Sequence, residues 1–479
     1  MLFNTVQYLL FLPIVVLIYY CIPAGMRYIW LLIISYYFYM QWNPFYVVLL
    51  FFSTFLTYVC GRIIEKLRVC ETGLETICEH GNSDWYSQAE RKKKQKMCLV
   101  LCIFLNLGVL GFFKYFNFGI QILNHLLAYI RIDEISWHSD ILLPVGISFY
   151  TLQALGYLID VYRGDIYAER NFMKYALFVS FFPQLVAGPI ERSRNLLVQL
   201  HEVHLFQYDN LRKGLLLVLY GLFLKMVIAD KAAVIVDTVY ENSAVYSGFY
   251  IVVATIFFAI QIYCDFYGYS TIAKGSALML GIHLMENFSA PYYSKSVKEF
   301  WRRWHISLSH WFRDYLYIPL GGNQKGNIRQ KFNLLVVFGV SGLWHGASMT
   351  FIVWGLLNGI YQIVEDMVVK SKTWIMKYLG KRNEHSIICV GGVKRNSFST
   401  RLRQTVITFC LVTFAWLFFR AGGFKNAIEI LQNMLGNNNW IILFDGSLYE
   451  LGMPKHEVNV LVAGIVVLFT VDYYKYRKR

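Results

Sequence analysis

Apolar runs recur from one end of the chain to the other, at residues 6–21, 28–42, 45–60, 97–113, 118–130, 214–229, 249–263, 332–344, 351–364, 405–419 and 458–471, joined by short polar links. A helix crosses the hydrocarbon core of a bilayer with about 20 apolar residues. The pattern therefore predicts an all-α polytopic membrane protein, a single transmembrane domain over residues 1–479 with about eleven spans. Two further apolar stretches are interrupted. Leu143-Pro144-Val145-Gly146 opens one, and Phe181-Phe182-Pro183-Gln184-Leu185-Val186-Ala187-Gly188-Pro189-Ile190 lies inside the other. Backbone groups freed at membrane depth need protein or a water-filled cavity to satisfy them. These stretches read either as re-entrant, cavity-lining segments or as kinked spans.

Composition agrees with the pattern. Of 479 residues 57% are hydrophobic and 16% charged, with a mean hydropathy of +0.43, against about 25% charged in soluble domains. The net charge of +15 comes from basic residues gathered in links rather than on an aromatic-interleaved face, which argues against nucleic acid. Residues 62–96, 370–403 and 475–479 carry most of this excess. Lys/Arg-rich links face the cytoplasm. The third run must then end inside and the second leave, so the N-terminus lies outside and the C-terminus inside. The first run has no basic segment before it and no Ala-x-Ala after it, the pattern of an anchoring span. The nine cysteines form no Cys-x-x-Cys pair and no metal spacing with histidine, and read as reduced structural thiols.

Candidate chemistry gathers in two places. The segment Phe300-Trp301-Arg302-Arg303-Trp304-His305-Ile306-Ser307-Leu308-Ser309-His310-Trp311-Phe312-Arg313-Asp314-Tyr315 continues to Asn323. As one helix it would place Trp304, Leu308, Trp311 and Tyr315 on one face, Trp301, His305 and Phe312 beside them, and Arg302, Ser309 and Arg313 on a polar face. Each arginine costs about 2.5–3.5 kcal/mol at a helix centre in lipid. The segment thus lines a polar cavity or lies at the interface as an amphipathic helix with a tryptophan belt. The second place is Gly342-Leu343-Trp344-His345-Gly346-Ala347, where small neighbours leave room for another backbone or a thin substrate beside the imidazole. A histidine of pKa about 6.5 suits acyl transfer, because the neutral ring accepts a proton from an attacking hydroxyl. Gly-x-Ser-x-Gly, P-loop, Gly-x-Gly-x-x-Gly and His-Glu-x-x-His patterns are absent, and His201 and His204 lack a carboxylate or thiolate set for a metal.

At these residues the chain resembles the membrane-bound O-acyltransferase superfamily in its bacterial alginate O-acetyltransferase branch. The likeness covers residues 143–359. It includes Trp301 to Ser309, the His345 motif forty residues after His305, Gln261-Ile262-Tyr263-Cys264-Asp265-Phe266-Tyr267-Gly268-Tyr269-Ser270, and Glu286-Asn287-Phe288-Ser289-Ala290-Pro291. Tyr267 stands where the branch often has serine or alanine, and Thr271 where it often has aspartate. The resemblance implies a ring of helices around a central tunnel, with re-entrant and interfacial helices. It implies His345 as the principal catalytic residue, His305 as a second functional histidine, acetyl-CoA as a cytoplasmic donor substrate and no bound cofactor. It also implies an extracytoplasmic polysaccharide acceptor, such as an alginate-like polymer, cellulose or peptidoglycan, and a partner transferase with a serine hydrolase-like site. Arg302, Arg303 and Arg313 are candidates for CoA phosphates or acceptor carboxylates, or equally for snorkelling to the lipid headgroups, and Trp304, Asp314, Asp265 and Trp344 are candidate substrate-binding residues. Three other readings stay open: D-alanyl transfer to teichoic acid; a secondary transporter relaying protons through His305, His345, Asp265 and Asp314; and a non-catalytic scaffold. The charge pattern makes the topology testable. Reporter fusions should place residue 1 outside and Arg91 and Arg479 inside the cell membrane, and labelling of residue 93 by an impermeant external reagent overturns that orientation.

Overall fold

Local capping and backbone satisfaction explain where the helices start and stop. The computed structural model describes residues 1–69, 88–133, 135, 143–186, 188–378, 387–390, 393–437 and 439–478, of which residues 372–396 are described by backbone alone. Ala187, Arg479 and residues 70–87 and 379–386 of the basic links, named above, fall outside the described residues. Packing divides the chain into two compact units, Met1–Tyr220 with Tyr269–Met285, and Gly221–Gly268 with Glu286–Arg479.

The first unit contains α1 (Val6–Cys21), α2 (Arg27–Met40), α3 (Tyr46–Val69), α4 (Gln88–Tyr129), α5 (Ile147–Arg163), α6 (Phe172–Ser180), α7 (Phe182–Leu185), α8 (Ser193–Gln199) and most of α9 (Tyr208–Leu222). Thr5 caps α1 by accepting from the Tyr8 amide, and Asn171 caps α6 by accepting from Met173 and Lys174, each satisfying donors that a helix start leaves over. The runs expected at 97–113 and 118–130 are one helix, α4. The polar dip at Lys114 and Asn117 breaks no backbone hydrogen bond, and Lys114 Nζ donates to Ser148 Oγ at 3.3 Å. The expectation of about eleven spans had counted these runs separately.

The two interrupted stretches pack on each other inside this unit. Gly146, left-handed at φ 78°, turns the chain into α5, and a β-carbon there would lie 2.5 Å from the carbonyl oxygen of Leu185. Between α6 and α7 the helix restarts at Phe182, with Pro183 in its first turn. The Phe178 carbonyl beside this break accepts from the amides of Gln153 (2.5 Å) and Gln184 (3.0 Å), and Phe182 N donates to Ser35 Oγ (3.1 Å). Protein groups therefore supply the partners that the lost helical bonds require. Just beyond, Glu191 is buried and accepts from Met285 N and Asn195 Nδ2.

The second unit holds α10 (Asp230–Glu241), reached through a π-helical turn at Phe223–Ala229, α11 (Phe249–Met279) as far as Gly268, α12 (Val297–Arg303) and α13 (Ile306–Phe312). It continues with α14 (Asn327–His345), α15 (Met349–Tyr378), α16 (Phe398–Arg420), α17 (Phe424–Gly436) and α18 (Lys455–Arg477). Between α15 and α16, β1 (Ile387–Val390) and β2 (Val393–Asn396) pair antiparallel, Ile387 opposite Asn396, a small addition to a helical chain. Helices α14 and α15 form a close hairpin. A β-carbon at Gly342 would lie 2.2 Å from the Phe351 carbonyl oxygen, and one at Gly355 2.2 Å from that of Phe338, so small residues let two backbones meet, as in other membrane helix pairs.

Among the described residues six helices are long and apolar enough to cross a membrane: α3, α4, α11, α15, α16 and α18. The protein is a multi-pass α-helical membrane protein. Glu191 gives the fold a pH dependence. Burial pushes its carboxyl from 4.5 up to about 7, so between those values the native chain holds a proton that the unfolded chain releases, and stability falls as pH rises through 7. The loss approaches about 3 kcal/mol above pH 7 at 1.36 kcal/mol per pKa unit. Thermal unfolding in detergent should show a midpoint that drops from pH 5 to pH 8 in the wild type and drops less in Glu191→Gln; parallel curves overturn the assignment.

Candidate active site

His345 and His305 both belong to the second unit, and each sits where a helix is interrupted. His345 is the last residue of α14, since Gly346 is extended (φ −165°). His305 lies between α12 and α13 in the left-handed region (φ 42°, ψ 56°), after an extended Trp304. The unbroken helix expected through this segment is therefore two short ones. The reason is tertiary. Residues 287–289 lie alongside the kink: Ser289 N donates to the Arg303 carbonyl (3.0 Å), Ile306 N to the Asn287 carbonyl (2.9 Å), and Ser307 Oγ to Asn287 Oδ1 (2.6 Å). The Arg303 guanidinium donates to the Ser289 carbonyl at 3.2 Å. These bonds replace helical ones and offset the roughly 1–2 kcal/mol that a left-handed residue other than glycine costs.

The kink seals His305 inside. It is 1% exposed, with the Phe266 ring edge-on at 4.6 Å and the Trp344 ring at 6.1 Å. Burial holds its imidazole well below the usual 6.5, and the charge of nearby His345 acts in the same direction; His305 is uncharged at neutral pH. His345 is half-buried rather than sealed. Trp344 (4.8 Å), Trp354 (5.1 Å) and Phe419 (5.4 Å) surround its ring edge-on. Trp354 stacks on Trp416 at 5.4 Å, and Trp416 meets Trp304 at 5.0 Å. Trp344 thus touches both imidazoles, while Trp304 closes the aromatic wall. The space beside the glycines is filled by α15, since a β-carbon at Gly346 would strike the Phe351 ring at 2.1 Å. A backbone-bearing neighbour, not a substrate, explains them.

The remaining candidates divide among three environments. Arg302 and Arg313 line a cavity of about 560 Å³, together with Lys298, Lys331 and Lys370. Trp301, Leu308, Leu334, Val337 and Phe338 line it as well, as does Asp366, which pairs with Lys298 at 3.9 Å. Asp314 pairs with Arg313 at 2.8 Å. Arg303 points elsewhere: it pairs with Glu299 at 2.8 Å and lies 4.9 Å over the ring of Tyr476. Asp265 forms a third group, paired with Lys225 at 2.5 Å, where Lys225 also meets Asp230 at 2.8 Å. Among the described residues no group of three or more His, Cys, Asp or Glu side chains is placed to hold a metal ion.

Several contributors were not singled out from the sequence. Asn287 was quoted only as part of a run, although its side chain and carbonyl hold the kink. Trp354, Trp416 and Phe419 lie in apolar runs where nothing separates a site aromatic from a core one, and Lys370 reads as a topology charge. Tyr263 donates to Asp472 Oδ2 at 2.7 Å and packs on Trp304 at 5.8 Å, linking α11 and α18 to the same wall; a tyrosine and an aspartate 209 residues apart give no joint signal.

This arrangement, two histidines meeting at one indole within a helical membrane protein, is accompanied by a family match. Residues 169–400 fit the model of MBOAT, the membrane-bound O-acyltransferase family. The chain belongs to that family, and is an O-acyltransferase. It is 37% identical to the probable alginate O-acetylase AlgI of Azotobacter vinelandii, over 97% of this chain and 83% of the relative. It is 31% identical to the peptidoglycan O-acetyltransferase of Helicobacter pylori, over 91% of this chain and 80% of the relative. The teichoic acid D-alanyltransferase of Bacillus subtilis is more distant, 25% identical over 59% of this chain and 70% of the relative.

The kink separates backbone from side-chain effects. His305→Gly and His305→Ala both empty the same pocket, but glycine takes the left-handed conformation without the β-carbon clash. The glycine variant should be the more stable by about 1 kcal/mol, read as a higher unfolding midpoint in detergent. An alanine variant as stable as the glycine variant overturns the strained geometry.

Proposed function

We propose that the protein takes acetyl from acetyl-CoA at the cytoplasmic side and passes it toward a hydroxyl of an extracytoplasmic polysaccharide, with its N-terminus outside and its C-terminus in the cytoplasm. The observation that carries this reading is the convergence of His345 and His305 on Trp344, with a cavity nearby whose lining includes both basic and apolar side chains. Coenzyme A carries both kinds of surface: phosphates at one end, a pantetheine arm and thioester at the other. Lys298, Arg302, Lys331 and Lys370 suit the phosphates, and the volume falls within the roughly 300–1,000 Å³ of small-molecule sites. Arg303 has a structural task instead, holding the kink.

His345 acts as general base. As the acceptor oxygen attacks the thioester carbonyl, the imidazole takes the hydroxyl proton; the tetrahedral intermediate then expels the CoA thiolate, which recovers that proton from the imidazolium. Half-burial lets a substrate reach His345, and the surrounding rings exclude water that would hydrolyse the thioester. His305, neutral and enclosed, does not reach the substrate; it backs Trp344 and so positions the site around His345.

The acceptor is a polymer of the kind that the alginate and peptidoglycan relatives are named for. Those relatives match more of this chain, at higher identity, than the D-alanyltransferase does, which favours acetyl over D-alanyl as the group moved. An extracytoplasmic transferase with a serine hydrolase-like site receives the acetyl at the outer side and completes delivery to the polymer.

The test is reconstitution in vesicles with labelled acetyl-CoA and the acceptor polymer, with and without the partner transferase. His345→Ala should insert normally and lower acetyl transfer by about 10²-fold or more, the lower end for losing a positioned base. Near-normal turnover by that variant removes His345 from the mechanism.

A further inference from the structure

The cavity stops short of the histidines. Neither His305 nor His345 lines it, and what stands at its inner end is Trp301. This indole is 8% exposed, donates from Nε1 to Asn358 Oδ1 at 3.1 Å, and meets the Phe338 ring edge-on at 5.2 Å. On its far side lies Trp354, at 5.6 Å, which in turn contacts His345 at 5.1 Å. Trp301 is thus an indole layer shared by the lining of the cavity and the rings around His345.

That layer has little freedom to retreat. Asn358 is 1% exposed and donates its own amide to the Trp354 carbonyl at 2.8 Å, so its oxygen is fixed toward Trp301. Phe338 is backed by α15, where a β-carbon at Gly355 would lie 2.2 Å from the Phe338 carbonyl oxygen and one at Gly359 3.4 Å from the Phe338 β-carbon. A side chain hydrogen-bonded on one edge and packed on the other keeps a single rotamer, and a tight interior resists each added methylene.

We propose that Trp301, latched by Asn358 and backed by Phe338, sets the length of the acyl group that reaches His345; this rests on the acyl-CoA reading above. The pantetheine arm passes the indole edge, and the methyl group of an acetyl thioester held at His345 packs back on Trp301. Longer chains meet Trp301 and Phe338. A fit or misfit of one methylene in an apolar pocket changes kcat/KM by about 10–200-fold, enough for these residues to be specificity determinants without touching the reacting atoms.

The experiment compares acetyl-, propionyl- and butyryl-CoA as donors for the full-length reconstituted protein, as wild type, Trp301→Phe and Asn358→Ala. The phenylalanine variant keeps an aromatic ring but loses bulk and the hydrogen bond, and the alanine variant keeps the indole but frees it. In both, the wild-type preference for acetyl-CoA over butyryl-CoA should fall by about 10-fold or more, through a gain in kcat/KM with butyryl-CoA. An unchanged preference overturns the proposal, as does loss of turnover with all three donors and no gain on the longest. Wild type that uses acetyl- and butyryl-CoA equally overturns this inference alone, whereas wild type that uses no acyl-CoA overturns the donor reading and this inference with it.

Discussion

The exchange of hydrogen bonds between Asn287–Ser289 and Arg303–Ser307 is the contact on which the site depends. A histidine in the left-handed region, buried among aromatic rings, is held there because backbone groups freed by the interrupted helix, the Arg303 carbonyl and the Ile306 and Ser307 amides, find partners across that contact. Unmet, such groups would each cost on the order of 1–3 kcal/mol in an interior. The kink aims Trp304 one way and His305 the other. Trp304 joins Phe300, Tyr263 and Trp416 in the aromatic wall, while His305 turns to Phe266 and Trp344. An unbroken helix would carry both side chains on adjacent faces and could not enclose the imidazole.

Around this point the second unit separates its polar chemistry into compartments. His305 is enclosed and uncharged; His345, half-accessible, is the one open to a substrate. The arginines of one short segment diverge, with Arg303 committed to Glu299 and Tyr476 and Arg302 lining the cavity. Charges that a bilayer would reject are kept by ion pairs and by a polar cavity. The family membership gives this separation its meaning: an O-acyltransferase must bring an acyl donor and a hydroxyl acceptor together while excluding water.

The first unit shows the same rule applied to structure. Its two interrupted stretches carry proline and glycine where a spanning helix would lose bonds, and Gln153, Gln184 and Ser35 replace them. Glycine serves packing as well: Gly342 and Gly355 bring α14 and α15 into backbone contact, and that hairpin carries His345 at the end of one arm and Trp354 and Asn358 on the other.

Much of this protein is determined by sequence alone. Apolar runs of membrane length locate the helices because hydrocarbon imposes that length on any span, and the family is legible because Trp301 to Ser309 and Gly342 to Ala347 are such particular strings. What hydropathy cannot report is whether a polar dip ends a helix. Lys114 and Asn117 look like a boundary and are not, since a side-chain partner suffices, whereas Trp304-His305-Ile306, which holds neither proline nor glycine, is one, since the bonds that break the helix come from residues 287–289. Which tryptophans surround His345, where Arg303 points, and how Tyr263 meets Asp472 were decided only by the tertiary structure. They depend on contacts between segments distant in the chain, and period and composition describe a helix's own faces, not the neighbour against which each face packs.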